Sequence, residues 1–335
     1  MGKLKQLLAV QAVALCAFAF VSPPASAYPW PVKPFDVQHP VRGNFGDPRT
    51  VFQVSLFDNG IAGPGTFLFH NGIDIAAPDG TPVYPVLSGV VHLISGDAVA
   101  VATAVGRSFQ YFHIDPRVTE GERVVAQQTM LGRIIKGVGH VHLSELRGNQ
   151  IWNPLADGGI APYRDYLPPT VASIEFRQGS RLTQLDPLAI CGRISIVSEV
   201  FDTPQPKVSG TFAGFPVSPA VVTWTLTRFG LGSLVVRPTT VVDFRGTLPL
   251  PQDFWNVYAR GTYQNAPRLG LRQFGLMPGR FLYQLTPRGL DTRTIPNGVY
   301  QVTVQATDIR GNARSVSRRF TVANRARTPC RPSVR

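Results

Sequence analysis

Short β-branched and apolar runs, each ended by glycine or proline, are the feature that most limits the folds open to this chain. The 335 residues include 32 glycines and 30 prolines, spread along the sequence as turn residues. Runs of this length and composition favour strands over helices. The sequence therefore predicts an all-β protein.

The predicted strands form two groups. A Gly-, Pro- and Tyr-rich stretch at residues 155–170 separates them and is interpreted as a linker. The length supports two domains, each able to bury its own core. We expect an extended lead-in at 28–40, a small antiparallel barrel-like domain at 41–154 and a β-sandwich at 171–335. The first group comprises 72–76, 81–87, 89–94, 99–104, 108–114 and 130–134, and the second comprises 171–176, 193–201, 220–228, 298–308 and 314–322.

Residues 299–306 alternate polar and apolar side chains, which predicts a strand with one buried face. The turn that follows, Asp308-Ile309-Arg310-Gly311-Asn312, resembles the last hairpin of immunoglobulin-like and fibronectin type III sandwiches. The stretch 230–287 is less regular, and we expect it to be a long insertion within the sandwich.

The first residues have the pattern of a secretory signal. Lys3 and Lys5 precede an apolar run at 7–21, and the small residues Ala25-Ser26-Ala27 follow it. The run is shorter than the roughly 20 residues that a membrane span needs. We therefore expect cleavage after Ala27 and a secreted, periplasmic or envelope location, with a retained membrane anchor as the alternative. No other segment is apolar enough to span a bilayer.

Removal of residues 1–27 leaves two cysteines, Cys191 and Cys330. A pair of cysteines in an oxidising compartment predicts a disulfide. Neither cysteine lies in a CxxC motif or near the histidine motifs, so thiolate metal ligands are not expected.

The charge is divided unevenly along the chain. Residues 28–165 carry 10 Lys and Arg against 12 Asp and Glu, whereas residues 166–335 carry 21 against 8. All but one of the basic residues in the second half are arginines. Such a field predicts an anionic partner, for which an anionic envelope polymer is the hypothesis and nucleic acid is not expected. A solubilising surface is the alternative.

Four of the six histidines lie in motifs that suit a metal site. His70 and Asp74 are separated by four positions, and in a strand such positions share a face. His140 and His142 are separated by two, so they also share a face. Three protein ligands with an open fourth position are typical of catalytic zinc. His113, in a predicted strand between the two motifs, completes the group.

The order HxxxD, Y-x-H and HxH resembles the LytM/lysostaphin-type peptidoglycan endopeptidases. Their opening "FG-x-R" strand is similar to residues 43–49 here, GNFGDPR, and their H-x-G-x-D motif with the G-T-P-V that follows it is similar to residues 70–83. Gly89-Val90-Val91 fits the strand that follows in the family. The resemblance covers residues 41–146.

The resemblance implies roles for five residues. His70, Asp74 and His142 would hold Zn²⁺, while His113 and His140 would orient or deprotonate the attacking water and stabilise the oxyanion. The implied activity is hydrolysis of peptide bonds in bacterial peptidoglycan. Two alternatives stay open: a degenerate module that activates a cell-wall amidase by binding it, and a basic envelope-adhesion protein. His39 and His92 have no partners in the sequence and are interpreted as structural or exposed.

The chain departs from the family pattern at three places. The acidic residue of the usual H-L-H-F-E motif comes one position late, as Glu145, and the loop at 136–139 is short. Some relatives have a tyrosine hydroxyl shortly before the first ligand, where this chain has Phe67 and Phe69. Arg42, Asp47 and Arg49, near the opening strand, are interpreted as a local ion pair or as substrate contacts.

Overall fold

The computed structural model describes residues 27–51, 66–178, 183–210, 213–265 and 278–324. Within these ranges the regular structure is almost entirely antiparallel β, which confirms the predicted fold class. The strands of the first half are β1 (Val41–Gly43), β2 (Pro48–Val51), β3 (Thr66–Phe69), β4 (Ile73–Ala76), β5 (Pro82–Val83), β6 (Gly89–Ser95), β7 (Ala98–Ala102), β8 (Arg107–Phe112), β9 (Ile114–Pro116), β10 (Arg123–Val124), β11 (Gly132–Ile134), β12 (His140–Arg147) and β13 (Gln150–Trp152).

The second half contains longer strands and a little helix. One short helix, α1, spans Phe254–Val257, and 3-10 turns span Pro251–Asp253 and Thr292–Thr294. The strands are β14 (Thr170–Arg177), β15 (Arg193–Phe201), β16 (Val221–Arg228), β17 (Leu234–Asp243), β18 (Leu282–Gln284), β19 (Leu290–Asp291), β20 (Gly298–Thr307) and β21 (Ala313–Val322).

The main sheet of the first half places β12 between β4 and β8. Its strand order is β1-β4-β12-β8-β7-β6-β10, with β13 added to the end of β12. His142 is opposite Asp74 on one side and Phe112 on the other. This register brings all three predicted motifs to one end of the sheet.

The alternation of β12 separates the site from the core. Val141 and Leu143 are fully buried on the face opposite His140 and His142. The lead-in packs on the same body: Trp30 is fully buried, and the Tyr28 hydroxyl donates to Glu145 Oε2 at 2.8 Å. Apolar burial therefore fixes the strand that carries the histidines.

The second half is a sandwich of two four-stranded sheets, as the sequence predicts. One sheet has the order β14-β15-β18, with β19 also on β15, and the other has the order β17-β16-β20-β21. Phe176 of the first sheet packs on Phe320 of the second, with ring centroids 4.8 Å apart. On β20 the alternation is confirmed, since Tyr300, Val302 and Val304 are buried. The immunoglobulin-like assignment stays a prediction.

The prediction of an insertion over residues 230–287 is wrong for its first part. Strand β17 pairs along the length of β16 and is a regular member of the sandwich. Most of its side chains are exposed, including Val235, and Pro238 lies in its middle. Because neither face of β17 is buried along its length, its sequence lacks the alternation that marks a strand.

The two halves share one continuous apolar core. Phe69, the residue before His70, packs on Phe244, Phe254 and Tyr258 with ring centroids 5.4–5.9 Å apart. The Tyr258 hydroxyl donates to the carbonyl of Gly46 at 2.7 Å. The sandwich therefore supports the loop that leads to the predicted metal site.

Three sequence predictions concern the ends of the chain. Cys191 is disulfide-bonded, while Cys330 lies outside the described residues, so that pairing stays a prediction. The predicted signal lies outside them as well, except for Ala27. In the described part of the chain, no helix has the length and hydrophobicity needed to cross a membrane.

Candidate metal centre

The three predicted ligands come from two neighbouring strands and the turn before one of them. Asp74 lies on β4 and His142 lies opposite it on β12. His70 precedes β4 rather than lying on it, so the expectation that His70 and Asp74 share a strand face is wrong. The turn passes close to β12: a Cβ at Gly72 would lie 2.3 Å from the Leu143 carbonyl oxygen. Only glycine fits there, and its absence of a side chain lets His70 reach the site.

The ligand atoms converge as a metal site requires. His70 Nε2 lies 2.8 Å from His142 Nδ1, and Asp74 Oδ1 lies 3.1 Å from each of these nitrogens. Two ligands at 2.0–2.1 Å from a tetrahedral zinc ion are separated by about 3.3 Å. The triangle is only slightly smaller than that. All three side chains are buried, so the group is preorganised.

The remaining polar atoms of the ligands have partners that orient them. His70 Nδ1 donates to the carbonyl of Asn44 at 2.8 Å, which leaves the Nε2 lone pair directed into the site. His142 Nε2 bonds the Ser144 hydroxyl at 2.8 Å. Asp74 Oδ2 accepts from Arg49 Nη2 at 2.8 Å. Such outer partners fix the tautomer and the ring orientation of metal-binding histidines.

The electrostatics keep two of the ligands, His70 and Asp74, in the protonation states that bind a metal. Burial, and then the charge of Arg49, lowers the pKa of His70 to about 3. Burial alone would raise the pKa of Asp74, but His70, His140 and Arg49 together hold it well below its usual range. Neutral imidazole and ionised carboxylate are the forms with free lone pairs for a cation.

His140 lies beside the ligands and directs its Nε2 atom toward them. Its Nδ1 donates to the carbonyl of Val138 at 2.9 Å, and its Nε2 lies 3.6 Å from Asp74 Oδ1. Burial lowers the pKa of His140 to about 4, so the imidazole is neutral near pH 7. Its Nε2 lone pair is therefore available to accept a proton or a hydrogen bond.

His113 reaches the site from the end of β8. It follows the end of β8 with φ of 67°, so it lies in a turn between β8 and β9 and not in the predicted strand. Its ring centroid is 4.7 Å from that of His140 and 6.4 Å from that of His142. Burial lowers the pKa of His113 as well. The five predicted site residues thus meet at one place.

Arg42, Asp47 and Arg49, in and near the opening strand, bond a metal ligand or residues next to the site. Arg49 pairs with Asp74, as the local ion-pair interpretation expects. Asp47 is fully buried, accepts hydrogen bonds from the backbone of Asn44 and Ser218, and has its pKa raised by burial to about 7. Arg42 donates to the Val138 carbonyl that also accepts from His140.

The late acidic residue of the HxH motif does not face the metal centre. Glu145 lies on the opposite face of β12, where it pairs with Arg107 and Arg147. The position on the site face is Ser144, whose hydroxyl holds His142. The strand alternation identifies this residue, but the motif comparison alone missed it. His39 and His92, in contrast, lie apart from the site, bonded to the Pro34 carbonyl and to Glu120.

Comparisons with known proteins agree with this geometry. Residues 68–153 match the model of "Peptidase family M23". No curated protein matches the chain. Among solved structures, the deep-sea M23 metalloprotease pseudoalterin is 18% identical with a TM-score of 0.28, and covers 43% of this chain and 82% of its own. The SpoIIIAH–SpoIIQ complex is 23% identical with a TM-score of 0.28, covering 38% and 97%.

A third structure is a zinc-containing peptidase from Vibrio cholerae, 24% identical with a TM-score of 0.29, covering 41% of each chain. These TM-scores are too low to transfer any property of those proteins to this chain. The matched range, in contrast, contains all five histidine and aspartate residues of the site. Residues 68–153 of this chain are therefore a domain of peptidase family M23.

Proposed function

We propose that this chain is a secreted zinc endopeptidase that hydrolyses peptide bonds in bacterial peptidoglycan. The observation that carries the proposal is the convergence of His70 Nε2, Asp74 Oδ1 and His142 Nδ1 within 3.1 Å of one another, with two further imidazoles beside them. Two imidazole nitrogens and one carboxylate oxygen form a donor set suited to zinc. Bound zinc would polarise the scissile carbonyl and lower the pKa of a water molecule toward 7.

The chain's own residues have distinct parts in this mechanism. His70, Asp74 and His142 would hold the ion, and Arg49 and Ser144 orient two of those ligands. His140 presents a neutral Nε2 toward the centre because its Nδ1–H is donated to Val138. That nitrogen is placed to take the proton of the attacking water and later return it to the leaving amine.

His113 lies on the other side of His140, at the partly exposed edge of the site. From there its imidazole is suited to donate a hydrogen bond to the oxygen on which negative charge develops during attack. A donor aimed at developing charge in a partly buried site stabilises the transition state. This division of labour assigns the proton transfer to His140 and the oxyanion contact to His113.

Digestion of purified peptidoglycan by the mature chain, with and without a chelator, tests the proposal. We expect new amino termini and shorter muropeptides in the mass spectrum, abolished by chelation and restored by zinc. Protein with His92, which is exposed and apart from the ligand triangle, changed to Ala serves as a folded control. Stoichiometric zinc without any cleavage of peptidoglycan or of glycine-rich peptides would leave the binding-module alternative in place of the enzyme.

A further inference from the structure

A second acidic cluster lies far along the chain from the histidines, where the connecting segment meets the sandwich. Asp165 lies in the segment that leads to β14, Asp202 directly follows β15, and Asp308 directly follows β20. One carboxylate oxygen from each lies within 4.8 Å of the others. All three side chains are buried, with 2–4% exposure.

No direct ion pair compensates the charge of the cluster within the described residues. Among the described residues, no Lys, Arg or His forms an ion pair with any of the three. Arg310 is the neighbouring cation, but its Nη1 pairs with Asp157 and its Nη2 donates to the Leu155 carbonyl. Three buried carboxylates cannot all be ionised without a cation, and burying them unpaired is costly.

Both carboxylate oxygens of Asp308 accept hydrogen bonds, but one carboxylate oxygen of Asp165 accepts none. Asp308 organises its turn, accepting from the backbone of Arg310 and from the backbone and side chain of Asn312. Asp165 uses only Oδ1, which accepts from Leu167 N, and its Oδ2 is buried without any hydrogen-bond donor. A buried carboxylate oxygen without a donor requires a partner of another kind.

From this geometry we propose that Asp165, Asp202 and Asp308 bind one calcium ion. Calcium takes oxygen ligands at 2.3–2.6 Å, so two ligands of one ion can be up to about 4.8 Å apart. The ligand set contains oxygen alone, which excludes a preference for zinc at this place. Water and backbone carbonyls would supply the remaining ligands.

Burial and mutual repulsion disfavour the charged forms of these carboxylates. Burial, and then the charge of Asp165, raises the pKa of Asp202 to about 8. Burial also raises the pKa of Asp165. The buried Tyr163 hydroxyl has its pKa raised by burial and by the same carboxylates, which places the ring within their field.

The ion would join three parts of the chain. Asp202 follows a strand of the β14-β15-β18 sheet and Asp308 follows a strand of the opposite sheet, while Asp165 lies in the segment arriving from the M23 domain. Asn312 already donates to the carbonyl of Asp165 at 2.9 Å. Calcium would therefore fix the connecting segment to both sheets of the sandwich and stabilise the placement of the two halves.

Direct calcium binding to the zinc-loaded full mature chain tests the proposal. By calorimetry in chelator-free buffer we expect one saturable calcium site, at least tenfold weaker for magnesium. The Asp202→Asn variant should bind calcium at least tenfold more weakly, whereas Asp115→Asn, an exposed acid outside the cluster, should bind like the wild type. A rise in melting temperature with calcium should accompany binding.

Terbium gives a second, local readout. Excited tyrosine sensitises terbium luminescence over short distances, so Tyr163→Phe should reduce the signal without removing calcium binding. No saturable binding by the wild type up to millimolar calcium would overturn the proposal. Equal binding by wild type and Asp202→Asn would also overturn it. Retention of binding in His142→Ala shows that the zinc centre is not the calcium site.

Discussion

The backbone N–H of Ser218, in the second half of the chain, donates to Asp47 Oδ1 in the first half at 2.6 Å. Asp47 lies two residues before Arg49, which pairs with the metal ligand Asp74. A second path runs from the Ser218 carbonyl to the Asn44 side chain, and the Asn44 carbonyl accepts from His70. The sandwich is thus linked to His70 through Asn44, and to Asp74 through Asp47 and Arg49.

The Tyr258 hydroxyl bonds both to Ser218 and to the loop before the metal site, so Tyr258→Phe should weaken both the fold and the metal site. The Tyr258 hydroxyl is buried and donates to the Gly46 carbonyl, so its removal leaves a buried acceptor unsatisfied. Such a loss costs about 1–3 kcal/mol of the free energy of unfolding. Chemical denaturation measures that cost, and zinc titration measures any loss of affinity. Tyr263→Phe, at a ring that is 37% exposed, is the matched control. Equal stability of the two variants would contradict this account.

Replacement of a ligand should remove the metal. His142→Ala leaves two ligands, and we expect zinc content to fall from about one ion per chain to near zero. Elemental analysis of dialysed protein measures this directly. The exposed His92→Ala variant should retain its zinc. Copurification of stoichiometric zinc with His142→Ala would show that the ligand assignment is wrong.

The neighbouring imidazoles should behave differently from the ligands. His140→Ala and His113→Ala should retain zinc, because neither side chain belongs to the ligand triangle. Each should lose turnover by about 10²–10⁴-fold, the usual contribution of a general acid or base. Initial rates of peptide cleavage at matched zinc content measure the effect. Wild-type rates in both variants would make these histidines structural residues.

The sequence predicts which residues form the candidate metal centre better than it predicts the backbone path that brings them together. The residue types and their order identify His70, Asp74 and His142, and the i, i+2 rule correctly places His140 and His142 on one face. The same rule fails for His70, because Gly72 turns the chain over β12 through a contact that is distant in sequence. Ser144 follows from strand alternation, although comparison with the family motif directs attention to Glu145.

Long-range packing explains what the sequence does not reveal. Strand β17 cannot be recognised in the sequence because it is exposed on both faces, so its polar and apolar side chains do not alternate. The contacts of Phe69 with Phe244 and Phe254 join residues about 180 positions apart. A local sequence pattern cannot predict contacts between residues so distant in the chain. The acidic cluster is equally hidden, since its three members come from separate elements.

The acidic cluster predicts an unusual dependence of stability on pH. The pKa of Asp202 is about 8 in the folded chain and about 3.9 in an unfolded one. Without calcium, the folded state keeps a proton that the unfolded state loses, so the free energy of unfolding falls as pH rises from about 4 to 8. The charges of Asp165 and Asp308 help to raise the pKa of Asp202. The raised pKa of Asp165 acts on stability in the same direction, and the charge of Arg310 opposes that rise.

Denaturation of calcium-free protein at pH 5 and pH 8 measures this loss, which we expect to be on the order of 2 kcal/mol. In Asp202→Asn the corresponding loss should be smaller, because a neutral amide has no proton to release. Asp47 also has a raised pKa, so the comparison between wild type and variant isolates the contribution of Asp202. Identical pH profiles for the two proteins would exclude Asp202 as its source.

The arginine-rich half is predicted to hold the chain on an anionic envelope polymer. Several of its arginines are already neutralised locally, as in the pairs Arg245–Asp243 and Arg293–Asp291. Arg237, Arg314 and Arg319 are exposed, and no carboxylate among the described residues pairs with them. Planar guanidinium groups pair with phosphate and carboxylate in a bidentate manner, so these arginines are the ones to test.

Because the halves share one core, the test uses the full mature chain and not an isolated half. Wall binding should fall steeply between 0.1 M and 1 M salt, where the Debye length decreases from about 10 Å to about 3 Å. Changing the three exposed arginines to glutamine should weaken binding several-fold at low salt, while changing them to lysine should preserve most of it. Cleavage of a small neutral peptide depends on the metal centre alone and should be unchanged in both variants. Wall binding that is indifferent to salt and to the glutamine changes would leave these arginines as a solubilising surface, with wall affinity residing in the M23 domain.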